Sequence, residues 1–311
     1  MCKLKFGIDF VSLWLVKFYA LSIINIKEPM RIFITLLVIF FSFSIFAQQK
    51  KALIVGISDY PKSSKWSNIH SDNDVDLLKV ALTDIDFSID IVKNHYATKM
   101  NIVQALNKLH KEVSERDSVL IHFSCHGQLY LTEEGKLIES LIPYDAQKYY
   151  KKDVYQGENH FLDYELGVFL DRIRTKIGGE GLLFVTIDAC HSGDVVRAMD
   201  EGTPVRGTNS VFTSDGLYIL ANKKEVKKNI VIPKFEDMSQ FCVVYACQPY
   251  QRNYELKVED KYYGSLSYAF YNALRKSESF NPKLLAGDIV HTMGKIVRKQ
   301  NPYFESTFTV K

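Results

Sequence analysis

From residue 51 onward, short and nearly continuous apolar runs alternate with longer stretches in which apolar residues recur every three or four positions. KALIVGIS (51–58), SVLIHFSCHG (118–127), LLFVTID (182–188) and FCVVYACQ (241–248) are of the first kind. Their length and their Val, Ile and Phe content predict strands buried on both faces. A shorter alternating strand is expected over 87–93, and FESTFTV (304–310) can close the sheet. Residues 72–82, 98–115, 164–176, 265–276 and 284–298 are of the second kind. In 98–115, Ile102, Ala105, Leu106, Leu109 and Val113 fall on one helix face, and Asp72 or Asn73 is placed to cap the first helix. The resulting βαβα order predicts an α/β fold, a mostly parallel central sheet flanked by helices on both faces. Two polar stretches, about 128–163 and 195–240, read as long loop insertions, and loops of that length in a compact domain are functional or mobile. No repeat or linker divides residues 50–311.

The first fifty residues follow a different pattern. Met30-Arg31, the apolar run IFITLLVIFFSFSIF and then Ala47-Gln48-Gln49 have the layout of a secretory signal peptide over 30–47. Cleavage near Ala47 is expected, giving a secreted or periplasmic mature form without a membrane attachment. Residues 1–29 are expected to be an upstream extension from a mis-called start, with Met30 as the true one. The run 32–47 is shorter than the roughly 20 apolar residues a span prefers, and Ala47 is followed by Gln rather than by a lipid-bearing Cys.

Composition narrows the picture. A chain of 311 residues, 47% hydrophobic and 24% charged, can bury a large core in one or two domains. A net charge of +3 with scattered basic residues argues against a nucleic-acid partner. The five cysteines (Cys2, Cys125, Cys190, Cys242, Cys247) have neither the spacing of a disulfide framework nor that of a CxxC zinc site.

Two predicted strands end in reactive side chains, His126 after one and Cys190 after the other. Ligands and catalytic groups gather at the carboxyl ends of strands in open α/β sheets. Neighbouring strand ends lie about 5 Å apart, so a thiol and an imidazole could act on one substrate. A free thiol is mostly protonated at neutral pH, and a nearby histidine raises its thiolate fraction or takes up its proton. The backbone N–H groups of Gly127 and Cys190 would form an oxyanion hole above the strand ends. His191 adjoins the nucleophile and cannot readily bend back onto it. A zinc site from His122, Cys125, His126 and Cys190 is disfavoured, because four residues along a strand separate the histidines by about 13 Å. Alternation puts Asp188 on the side of Cys190. Either group alone reads most simply as structural; together at adjacent strand ends they favour catalysis.

HFSCHG and TIDACHSG are similar to the paired signatures of caspase-like cysteine peptidases, and DACHSG resembles the metacaspase branch. KALIVGISDY, SDNDVDLLKVAL, ESLIPYDA, ACQPYQRNYE and YYGSLSYAFYNAL extend the resemblance from about Lys50 to the C-terminus. His126 lies 64 residues before Cys190, against about 50 in the caspase pattern, which a longer intervening loop accommodates. The resemblance implies a caspase-hemoglobinase fold of clan CD and a cysteine endopeptidase acting on proteins or peptides. Cys190 would attack, His126 would protonate the leaving amine, and the Gly127 and Cys190 amides would hold the oxyanion; no third triad residue is evident. Asp74 stands where metacaspases carry a pocket acid, and with Asp188 it implies an S1 pocket for Arg or Lys at P1. Cys125 replaces a glycine common in relatives and is expected to be buried filler. No cofactor is expected, and calcium activation stays open: for the calcium that activates many metacaspases, Glu133, Glu134, Glu139 and Asp145 lie near the right region without forming its pattern. Arg206, Lys223, Lys224, Lys227 and Lys228 make the 195–240 insertion a candidate for self-cleavage. The other function class is a catalytically weak caspase-like interaction module, against which the presence of both His126 and Cys190 argues.

Overall fold

The computed structural model describes Pro29 and residues 48–190, 204–217, 219–220, 237–248, 251–277, 280–297 and 300–310. The expected signal peptide, His191, Lys223, Lys224, Lys227 and Lys228 lie outside the described residues. The apolar runs become β1 (Lys50–Gly56), β3 (Ser118–Ser124), β7 (Leu182–Asp188) and β10 (Gln240–Tyr245), joined by β2 (Ser88–Lys93) and β13 (Tyr303–Ser306). They form one six-stranded sheet in the order β13-β10-β7-β3-β1-β2, parallel except for β13. Among the described residues, five α-helices accompany the sheet: α1 (Ser71–Thr83), α2 (Lys99–Glu112), α3 (Asp163–Ile177), α4 (Ser265–Lys276) and α5 (Pro282–Ile296). Among the described residues, no helix is long and apolar enough to cross a membrane.

Strand alternation divides the core in two. Leu53, Val55, Val119, Ile121, Phe123, Leu183 and Val185 face α2 and α3, meeting Ile102, Leu106, Leu109, Leu166, Leu170 and Ile173. Ala52, Ile54, Leu120, Phe184 and Val244 face the opposite way, against α1, α4 and α5 through Val75, Leu78, Phe270, Ala273, Leu285 and Ile289. Thr98 caps α2, its hydroxyl accepting from Asn101 N–H. The first helix is capped otherwise than expected: neither Asp72 nor Asn73 is its cap residue, His70 is, and the Ser58 hydroxyl accepts the Asp72 N–H from outside the helix. Asp72 and Asp74 instead occupy the first turn, where the helix dipole favours negative charge.

The stretch 128–163 is not the loop its composition suggests. His126–Leu131 (β4) and Leu137–Ile142 (β5) form an antiparallel hairpin, turning near Gly135, and Phe161–Leu162 (β6) adds a third strand. Ser210–Thr213 (β8), inside the second expected loop, pairs parallel with β4, and Ile219–Leu220 (β9) completes a five-stranded sheet. This sheet buries Gln128, Glu139 and Ser140 beside Leu129, Leu141 and Phe161, which hides its alternation. The buried Gln128 is satisfied by Ser210 O, Lys148 O and the His160 ring. A separate hairpin, β11 (Glu255–Val258) with β12 (Lys261–Gly264), precedes α4.

Among the described residues, three histidines are buried. Burial pushes His122 in β3 and His126 at the start of β4 down to about 4, and His160 to about 3. An unfolded histidine titrates near 6.5, so each of these favours the folded state fully above that pH and loses its contribution as pH falls toward 4. Asp74, raised to about 6, works in the opposite direction, one proton against three. The urea midpoint should therefore fall steadily between pH 6.5 and pH 4.5; a flat profile there would show that these rings are not held neutral. Phe184→Ala, which empties the buried contact with Phe270 and Phe280, should cost about 3–5 kcal/mol in urea unfolding at pH 7.

Candidate active site

β3 and β7 are hydrogen-bonded neighbours in register, with Ser124 opposite Asp188, so their carboxyl ends open at the same edge. β3 stops there. Cys125 N–H turns toward Asp188 O at 3.4 Å and the chain enters the second sheet, so His126 opens β4 rather than ending β3. Cys125 packs in the core, and burial pushes its thiol up to about 12.

His126 is fixed from several sides. Its ring stacks on Trp66 with centroids 4.8 Å apart and lies 5.0 Å from Tyr60, whose hydroxyl accepts the His126 N–H and donates to Ile142 O. Nε2 lies 2.8 Å from Ser67 O. A carbonyl only accepts, so Nε2 carries the proton and Nδ1 holds a lone pair. Nδ1 is buried and, among the described residues, has no hydrogen-bond partner. Burial outweighs the Ser67 contact in setting the basicity, so the ring is neutral at physiological pH. The orienting group that no third acidic residue supplied is thus a backbone carbonyl.

Cys190 follows β7 by two residues and is 1% exposed. Its thiol donates to Gln251 O at 2.6 Å, and Cys247 Sγ lies 3.5 Å from the same oxygen. Contact with Cys190, reinforced by burial, pushes the Cys247 thiol well above its ordinary range. The Cys190 N–H donates to Arg206 O at 2.8 Å. No bond from Gly127 N–H to that oxygen is present among the described residues; Gly127 stands opposite Leu141 in the β4–β5 ladder.

The backbone around Arg206 runs beside residues 253–255. Val205 forms an antiparallel bridge with Tyr254, Arg206 N–H donates to Asn253 O at 3.0 Å, and Glu255 N–H donates to Pro204 O at 3.0 Å. Gly207 then presses on Cys190: a Cβ there would sit 2.2 Å from the Cys190 carbonyl oxygen. Only glycine fits that approach.

The Arg206 side chain is fully buried between carboxylates. Its Nη2 is 2.8 Å from both Asp74 Oδ2 and Glu255 Oε1, and its Nη1 donates to Ser124 Oγ at 2.6 Å. Asp188 is farther, 3.8 Å from Nη1, because its oxygens already accept from Asn253 Nδ2, Ser267 N–H and Ser267 Oγ. Burial raises Asp74 to about 6 against the pull of Arg206, while for Asp188 the guanidinium and these donors overcome burial and hold its carboxyl below the usual range. Gly264 walls the pocket, donating its N–H to Asp74 Oδ1, and a Cβ on it would meet Asp188 Oδ2 at 2.1 Å.

The two acids expected in one pocket therefore share a single cation, and the Cys190 amide meets that cation's own carbonyl. The third acid, Glu255, was missed, although it belongs to the ACQPYQRNYE stretch. His122 is bonded to Thr186 Oγ1 and Ser267 Oγ and so supports Asp188 from behind. Among the described residues no three His, Cys, Asp or Glu side chains are placed to hold a metal ion. Of the acids considered for calcium, Asp145 accepts the Lys99 N–H at the start of α2, and Glu139 is buried in β5.

Among solved structures, a crystal structure of a structural-genomics target protein from Geobacter sulfurreducens is similar, with a TM-score of 0.57 at 14% identity over 83% of this chain and 93% of that one. That likeness shows the fold. No curated protein matches the sequence. A family model described as the caspase domain matches residues 49–311, which is most of the chain. The chain belongs to the caspase-domain family of cysteine-type peptidases.

Proposed function

We propose that this caspase-domain protein is a cysteine endopeptidase that cleaves after Arg or Lys through Cys190 and His126, and that it processes itself at the Arg206–Gly207 bond. One observation carries the reading: Arg206 lies with its carbonyl on the Cys190 N–H while its guanidinium sits among Asp74, Asp188 and Glu255. That is the placement of a P1 residue, with Pro204 and Val205 as the preceding subsites and Gly207 after the scissile bond.

In this reading, His126 takes the Cys190 thiol proton at Nδ1 while Ser67 O holds Nε2–H. The sulfur attacks the Arg206 carbonyl carbon, and the displaced electron pair settles on oxygen, held by the Cys190 N–H. Collapse breaks the C–N bond, and His126 returns its proton to the Gly207 nitrogen. Water then hydrolyses the thioester, releasing the Arg206 carboxylate and restoring the thiol. For the expected secretory route, support comes from where the folded unit starts: Gln48 Nε2 bonds Ser118 Oγ and Gln49 N–H bonds Asp117 Oδ1, so removal of residues up to Ala47 leaves every described strand intact.

Fluorogenic peptides ending in Arg or Lys should be cleaved and Asp peptides should not, with and without calcium; Cys190→Ala should abolish cleavage entirely. Failure to cut any of the three with the wild-type enzyme would return the chain to the interaction-module class. Intact-mass analysis of incubated wild type should show a break between Arg206 and Gly207. Gly207→Ala, which keeps the arginine but crowds the Cys190 carbonyl, should slow that break at least tenfold, and an unchanged rate would place the processing site elsewhere. N-terminal sequencing of protein exported by a secreting host should begin at Gln48.

A further inference from the structure

The pocket holds more acid than a cation of either type needs, and its three carboxylates are not equivalent. Asp188 is committed to Asn253 and Ser267 and stays 3.8 Å from the guanidinium. Asp74 meets Nη2 at 2.8 Å and also accepts from Ser124 Oγ and Gly264 N–H. Among the described residues, Glu255 alone engages the side chain from its flank: Oε1 accepts from Nη2 at 2.8 Å and from Nε at 3.2 Å. Its other oxygen is held by His70 Nδ1, and its Oε1 also accepts the His70 N–H. Tyr262 stacks on the His70 ring, so the carboxylate is braced by the start of α1. Its side chain is fully buried.

A lysine has no group corresponding to Nε–H. Its ammonium falls near where the arginine Cζ lies and acts as a point charge rather than a fork. Asp74 and Ser124, at the end of the pocket, can still serve it; the flank contact cannot be made. We propose that Glu255 is the specificity-determining residue that makes this pocket select arginine over lysine, an inference that rests on the reading of the Asp74–Asp188 cleft as S1. Glu255 also binds the Pro204 carbonyl through its N–H, so one residue reads both the P1 side chain and the backbone two positions earlier.

The test is kcat/KM for matched peptides carrying Pro-Val-Arg or Pro-Val-Lys before a fluorogenic group, with the full-length chain and its Glu255→Gln variant. Residues 204–207 compete with both peptides alike and drop out of the ratio. Wild type should favour arginine by about tenfold or more. Glu255→Gln should lower arginine cleavage by about a hundredfold and lysine cleavage by about tenfold, bringing the ratio near unity. Equal losses on both peptides, or an unchanged ratio, would overturn the proposal while leaving the S1 reading intact; a wild type that cuts neither peptide would overturn both. Folding of the variant is checked by its melting temperature and by the alkylation rate of Cys190. If Glu255→Gln does not fold, Glu255→Asp, which keeps the charge but withdraws it from the flank, should reduce the ratio in the same direction; an undiminished ratio in Glu255→Asp overturns the proposal.

Discussion

One guanidinium among three carboxylates, closed off from water, is the constraint around which the candidate site of this molecule is arranged. Removing one partner of a buried ion pair costs about 3–5 kcal/mol, because the group left behind has lost both water and counter-charge. Here the imbalance is built in, and Asp74 relieves part of it by holding its proton up to about pH 6. The charges come from α1, β7 and β11, and the walls from the end of β3 and the turn between β12 and α4. Elements far apart in the chain therefore have a common electrostatic reason to close on one point. An emptied pocket would leave like charges facing one another, so the site is built to be filled by a cation.

The parallel sheet was legible because its four central strands, β1, β3, β7 and β10, are buried on both faces and rich in Val, Ile, Leu and Phe. β3 and β7 are adjacent, so the segments leading to His126 and to Cys190 leave the sheet at one edge, but His126 belongs to the start of β4 and not to the end of β3. The second sheet was not legible, for a physical reason: it keeps Gln128, Glu139 and Ser140 inside among apolar neighbours, so its polar residues do not mark solvent. Pro143, Gly157 and the many Tyr and Lys residues pointed to a loop, whereas the hairpin is held by strand pairing on both sides.

At the site itself, side chains were more readable than backbone. The oxygens of Ser67 and Gln251, which orient His126 and receive the Cys190 thiol, belong to groups that every residue possesses. Nothing in a residue's identity announces that its carbonyl is the one used. Asp188 was found by its position, yet what its oxygens do was decided by Asn253 and Ser267. Glu255 sits in a short hairpin with no pronounced apolar pattern, and its significance comes only from the approach of Arg206 and His70.

The pairing of residues 204–206 with 253–255 has a kinetic meaning. A bond presented by the same chain that carries the thiol is met at an effective concentration set by geometry, not by how much protein is present. If the chain processes itself at Arg206 as proposed, that break is a first-order event, proceeding at one rate in a dilute exterior and in a crowded compartment. Each molecule would carry its own clock, starting when β11 closes on Arg206 and running without a second molecule to activate it.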